Sequence, residues 1–135
     1  MHQVTNPSGV PAPPGGWYSH AVGVPTGAGT LLFVSGQIAL ADDGGVMYPG
    51  DMGKQSERVF ELLDRVLADQ GATFDDVVSI RTFVTDMDQL SDYGKVRARY
   101  ITGPPPTSTT VEVPRLFRAE AVVEVDVVAE IGRAA

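Results

Sequence analysis

The stretch Ala121-Val122-Val123-Glu124-Val125-Asp126-Val127-Val128-Ala129 alternates with a period of two. That is the repeat of a β-strand, whose successive side chains point to opposite faces of a sheet. Ala121, Val123, Val125 and Val127 form an apolar face, while Val122 and Val128 flank Glu124 and Asp126 on the other. A strand with one solvated face carries polar residues along all of it. This one predicts a sheet with both faces covered.

Working outward, Thr107 to Val113 alternates in the same way, with Ser108, Thr110 and Glu112 on its polar face. Gly103-Pro104-Pro105-Pro106 stops whatever helix precedes it, because proline lacks the N–H and clashes with the turn before. Asp88 to Ile101 reads as that helix, with Leu90, Tyr93, Arg97, Tyr100 and Ile101 along one stripe; Val77 to Thr85 reads as a strand. The clearest helix follows Asp51, an acceptor suited to the N-cap, and carries Val59, Leu62, Leu63, Val66 and Leu67 at i, i+3, i+4, i+7 and i+8. Glu61 and Arg65 form a favourable i,i+4 pair, and Gly71 is a natural terminator. Trp17 to Val22 and Leu31 to Ser35 read as strands joined by a turn with Pro25, Gly27 and Gly29, after an N-terminal segment rich in Pro and Gly.

The order is strand-strand-helix-strand-helix-strand-strand, an α+β chain with a mixed sheet of about six strands and two helices. Two helices cover one face only. The apolar residues on the other face predict that another copy of the chain lies against it.

Length and composition narrow the function. The 135 residues fit one domain spanning 1–135, with 43% hydrophobic and 20% charged residues. Seventeen acids against ten bases leave a formal charge of -7, which argues against a duplex-binding surface built on clustered Lys and Arg. There is no cysteine, which excludes disulfides, thiolate metal sites and Cys nucleophiles. His2 and His20 are the only histidines, so no His-rich metal site is possible and a Ser-His-Asp triad would have to use His20. Residues 1–7 show no basic region followed by an apolar one, and the longest apolar run, Leu31-Leu32-Phe33-Val34, cannot span a bilayer. A cytoplasmic protein without membrane or nucleic-acid partners is expected. Gly44-Gly45 and Gly27-x-Gly29 lack the strand-to-helix context of a phosphate loop.

Particular segments suggest a site. Ser35-Gly36-Gln37 reads as a sharp turn off a strand, where Gly36 lets backbone approach a ligand. Glu124 on the half-covered face could activate water, helped by desolvation.

Pro14-Gly15-Gly16-Trp17-Tyr18-Ser19-His20-Ala21-Val22 and Leu32-Phe33-Val34-Ser35-Gly36-Gln37 carry a resemblance that continues through Gln55, Val78 to Asp86, Pro106 to Val113 and Val123-Glu124-Val125. Over most of its length the chain resembles the YjgF/RidA family, the reactive-intermediate deaminases. The resemblance implies a chorismate-mutase-like fold, a homotrimer with ligand clefts between subunits, and hydrolysis of enamines and imines to a 2-oxo acid and ammonia without metal or organic cofactor. It implies that Glu124 positions water and that Tyr18 lies at the cleft rim. In the family pattern an arginine two residues after the proline clamps the substrate carboxylate; here Ser108 follows Pro106 and stands in its place. Arg97, in Gly94-Lys95-Val96-Arg97, replaces the aromatic of the family's Asn-x-x-Tyr and is a candidate for the missing cation, ahead of Arg81 and Arg115. The expectation is a hydrolase of a small imine or enamine other than the simple 2-imino acids. Glu124 would be catalytic, with Tyr18, Ser35, Gly36, Ser108, Thr110 and Arg97 binding the ligand. The alternative is a trimeric small-molecule binder or regulatory protein without chemistry. A ribonuclease activity sometimes attached to the family's name sits poorly with the charge of -7.

Overall fold

The computed structural model describes residues 1–132. Its strands are β1 (Gln3–Thr5), β2 (Ala21–Pro25), β3 (Thr30–Gln37), β4 (Val77–Val84), β5 (Thr107–Glu112) and β6 (Val123–Ile131), with helices α1 (Met52–Asp69) and α2 (Leu90–Tyr100). They form one six-stranded sheet in the order β1-β2-β3-β6-β4-β5. β4 and β5 are parallel and all other pairs antiparallel. The parallel pair is joined through α2, the long crossover that such a pair needs. The last strand sits between β3 and β4, which is why it is the most apolar of the six.

Helix α1 forms as its sequence dictates. The Asp51 carboxylate accepts from the Lys54 amide at 3.0 Å, Arg65 donates to Glu61 at 2.6 Å, and Gly71 takes φ +74° just beyond the last turn. Its stripe Val59, Leu62, Leu63, Val66 and Leu67 is buried against Leu32, Val34, Val123, Val125 and Val127. Each such side chain contributes roughly 1.5–3 kcal/mol on removal from water. Between the helices, the Phe60 ring lies 5.6 Å from Phe74, 5.9 Å from Tyr93 and 5.1 Å from Tyr100.

Some elements depart from the expectation. β2 starts at Ala21 rather than Trp17, because Pro14–Gly16 winds a tight turn with Gly15 and Gly16 both at φ +66°. Gln3–Thr5 adds an unforeseen edge strand. On α2 the core stripe passes through Tyr93 and Val96, not Arg97; the Tyr93 hydroxyl lies 2.6 Å from the Thr82 hydroxyl in the interior.

Among the described residues, nothing covers the centre of the sheet face away from the helices. Val22, Phe33 and Val128 form one cross-strand row on it, with Phe33 46% exposed. Farther across, Val111 is 39% exposed beside Phe83. Arg81 grips Asp126 at its centre with two bonds of 3.0 and 2.7 Å. None of the described helices is long and apolar enough to cross a membrane.

Candidate functional site

β3 does not end in a turn at Ser35-Gly36. It runs on to Gln37, and its pairing with β6 slips between Val34 and Gln37. The one extra residue on β3 makes a bulge, a device that re-aims side chains beside many sites. Glu124 lies across this bulge. A Cβ on Gly36 would stand 2.5 Å from Glu124 Oε2 and 2.8 Å from its Cδ. Position 36 is therefore glycine for space: any side chain there would evict the carboxylate.

Glu124 is half-buried, and burial lifts its carboxyl above the ordinary value, with the charge of Asp126 adding to the effect. Tyr18 stands nearby. Burial raises its phenol, the Glu124 charge adds to that, and Arg118 works against both. These two groups border a cavity of about 420 Å³, lined also by Pro11, Trp17, Ser35 and Phe117. In the cavity wall the buried His20 lies edge-on to the Tyr18 ring, at 6.1 Å between centroids. The ring joins three segments: its Nε2 lies 2.6 Å from the Pro11 carbonyl and its Nδ1 3.1 Å from Gln37 Nε2. Gln37 Nε2 also donates to the Ser35 carbonyl at 3.2 Å.

Four of the expected residues thus come together: Tyr18, Ser35, Gly36 and Glu124. Ser35 serves the framework, since its amide donates to the His20 carbonyl at 2.8 Å and its hydroxyl to the Ser19 carbonyl at 2.5 Å. The other three lie elsewhere. Ser108 and Thr110 sit opposite Ile80 and Thr82 on the far edge strand, on the sheet face that the helices cover. Glu124, opposite Phe83, points from the reverse face. Arg97 donates to Ser108 Oγ at 3.0 Å from α2. Arg81 is committed to Asp126, and Arg115 turns back on the Leu116 carbonyl at 3.4 Å.

Three further residues take part that had no assigned role in the sequence. Trp17 stood inside a quoted segment, and its place beside Tyr18 was the available signal. Phe117 lies on a return loop with no periodicity to flag it. Gln55 explains how that loop is held: fully buried on α1, it donates to the Tyr48 and Glu120 carbonyls at 3.1 and 3.0 Å and accepts from the Val122 amide at 2.9 Å. Among the described residues, no group of three or more His, Asp or Glu is placed to hold a metal ion.

The arrangement offers a half-buried carboxylate that can exchange a proton with water, beside a phenol and an aromatic-walled cavity. The profile of the endoribonuclease L-PSP family matches residues 10–131. This chain belongs to that family, also called YjgF/RidA. Within it, the chain is 43% identical over 114 residues to the protein DfrA of Myxococcus xanthus, covering 84% of this chain and 85% of that one. A RutC family protein of Pyrococcus abyssi is 31% identical over 86% of this chain and 87% of its own. The crystal structure of a Rid family protein of unknown function, YyfA from Yersinia pestis, superposes with a TM-score of 0.86 at 31% identity, covering 97% of this chain and all of that one. A putative endoribonuclease from Thermotoga maritima gives 0.84 at 30% identity, over 97% and 98%. The sheet, its two helices and their order are the fold of this YjgF/RidA family. Membership supports a role in processing small molecules.

Proposed function

We propose that the chain hydrolyses a small reactive imine or enamine, without a cofactor, in a cleft completed by a neighbouring copy in a homotrimer. The observation that carries this reading is Glu124, half-buried, seated on Gly36 and facing a cavity that its own chain leaves open. Water adds to the carbon of the C=N bond as Glu124 takes its proton. The carbinolamine then collapses to a carbonyl: Glu124 returns its proton to the nitrogen, the C–N bond breaks, and the hydroxyl proton leaves with the released nitrogen. Proton transfer by a positioned group of this kind is worth about 10²–10⁴ in rate.

Two features support assembly. The uncovered sheet face carries Phe33 and Val111 in the open. The site residues also fall into two separate halves, the Glu124 cavity and the β5 edge with Ser108, Thr110 and Arg97, which one chain cannot bring together. A second copy placing its β5 edge at the cavity mouth would join them. Ser108 lacks the charge and the fork geometry of an arginine clamp, which turns the reading away from simple 2-imino acids. RNA is disfavoured by the charge of -7 and a cavity lining without Lys or Arg.

The test generates imines in situ with an amine or amino-acid oxidase and follows their disappearance. Glu124→Gln should lower turnover by about a hundredfold or more and leave the oligomer intact. The same missing clamp favours a second reading, binding without turnover. Wild-type protein that binds a ligand but clears no imine faster than the Gln variant would establish it.

A further inference from the structure

The cavity's chemistry points beyond imines in general. We infer that its ligand is an aryl-alkyl imine bound as the protonated iminium cation, carrying no carboxylate of its own; this rests on the reading of Glu124 as the hydrolytic centre.

Size is the first argument. Pockets that enclose drug-sized ligands run from about 300 to 1,000 Å³, and this chain's part of the cleft measures about 420 Å³. The smallest imino acids would fill only a fraction of it. Its walls are the second argument: Trp17, Tyr18, Phe117, Ile38, Leu40 and Pro11 are aromatic or apolar. Trp17 is 82% and Phe117 48% exposed, so two rings stand in water at the opening. Exposed apolar groups around a cavity mark a place where an apolar body docks, and flat rings pair best with another ring.

Charge is the third argument. Glu124 is the one side chain in the lining that carries a formal charge. His20 commits both ring nitrogens to the framework. Gln37 donates to the Ser35 carbonyl and, with the same nitrogen, to His20 Nδ1, so the ring proton sits on Nε2 and goes to the Pro11 carbonyl. Turning the Gln37 amide over would set its oxygen against the Ser35 oxygen. Of the neighbouring guanidinium groups, Arg81 is held by Asp126, and Arg118, outside the lining itself, stacks on the Phe117 ring at 4.4 Å. Within this chain's own lining a ligand carboxylate would meet Glu124 and no cation; Arg97, which a neighbouring copy's β5 edge would bring to the mouth, already donates to Ser108 Oγ. An iminium N–H would instead reach a carboxylate, and its charge would also be attracted to the faces of Trp17 and Tyr18.

The step balances: the iminium cation and one water give an aryl-alkyl carbonyl compound and ammonium. A C–O bond forms, the C–N bond breaks, and no oxidant is consumed. A reaction that oxidises an aryl-alkyl primary amine would supply such a cation.

Trp17 is the chain's single tryptophan, so its fluorescence reports on the cavity. Phenethylamine and hydrocinnamate share a phenyl ring, differ in charge and have no bond to hydrolyse. Titrated against the intact protein by Trp17 emission and by calorimetry, the amine should bind at least about tenfold tighter. Glu124→Gln should bring the two affinities within about threefold. Tighter or equal binding of the carboxylate, binding of neither, or a preference that survives Glu124→Gln overturns the assignment. A carboxylate preference lost in Arg97→Gln or Arg118→Gln also overturns it, by giving the cleft's charge to that arginine. These measurements need no turnover. Tight amine binding together with inert imines would refute the hydrolytic reading and keep the ligand class.

Discussion

The two faces of β6 obey the same alternation and meet different fates. Val123, Val125 and Val127 are closed under α1 by their own chain, whereas Glu124, Asp126 and Val128 on the reverse remain half-open. A packed face needs only shape and apolar volume. The open face mixes an ion pair, a bulge and a raised carboxyl with valine and phenylalanine, a mixture that suits a site and an interface rather than a core. The strand's unusual composition therefore has two separate causes.

Substitutions that introduce the same charge on either face sharpen the contrast most. Val125→Asp buries an unpaired carboxylate and should cost more than about 4 kcal/mol, enough to abolish folding. Val128→Asp, three residues on, should leave the monomer folded by circular dichroism while sedimentation shows the assembly dissociated. Loss of fold in both variants would mean that the open face is core after all. Gly36→Ala comes next. Its new Cβ overlaps the Glu124 carboxylate, so turnover should fall about a hundredfold, roughly 2.7 kcal/mol, with a much smaller change in melting temperature. Gln55→Leu removes three part-buried hydrogen bonds and takes this partner from the Glu120 carbonyl and the Val122 amide, while the Tyr48 carbonyl keeps the Asp51 amide. A loss of about 1–3 kcal/mol by denaturant titration is expected, accompanied by a weaker Trp17 response to ligand as the Phe117 loop loosens.

How much of this could be read in the chain follows from the same contrast. Features made by local repeats were legible: the period of β6, the α1 stripe, the Asp51 cap, the Glu61–Arg65 pair, and the expectation of an uncovered second face. Features made by single residues against distant partners were not. Gln3–Thr5 is too short to show a period, and its strand exists only because β2 lies beside it. Arg97 was set one position out of phase on α2: Tyr93, held by the Phe60 ring and the Thr82 hydroxyl, sets the phase, and Val96 rather than Arg97 is buried with it. Gly36 suggested a turn, but its cause is the Glu124 carboxylate, eighty-eight residues away in the sequence. Glu124 and Tyr18 were found through the family resemblance. Phe117, on an aperiodic loop, had neither route.

The smallest effect tests whether the half-open face carries a real energetic cost. Burial raises the Glu124 carboxyl in the folded chain relative to the unfolded one, so the native state holds its proton to higher pH. Stability tied to this group is then fully present below the unfolded value and declines as pH rises through the folded one. Above that range wild type bears the cost of a partly desolvated carboxylate. Glu124→Gln has no such proton to lose. Its melting temperature should fall less steeply with pH across the upper carboxylate range and slightly exceed that of wild type at neutral pH. Parallel curves for the two proteins would show that water reaches Glu124 freely. The open face of β6 would then be an ordinary surface, with no bias toward holding the proton that Glu124 takes from water in the proposed step.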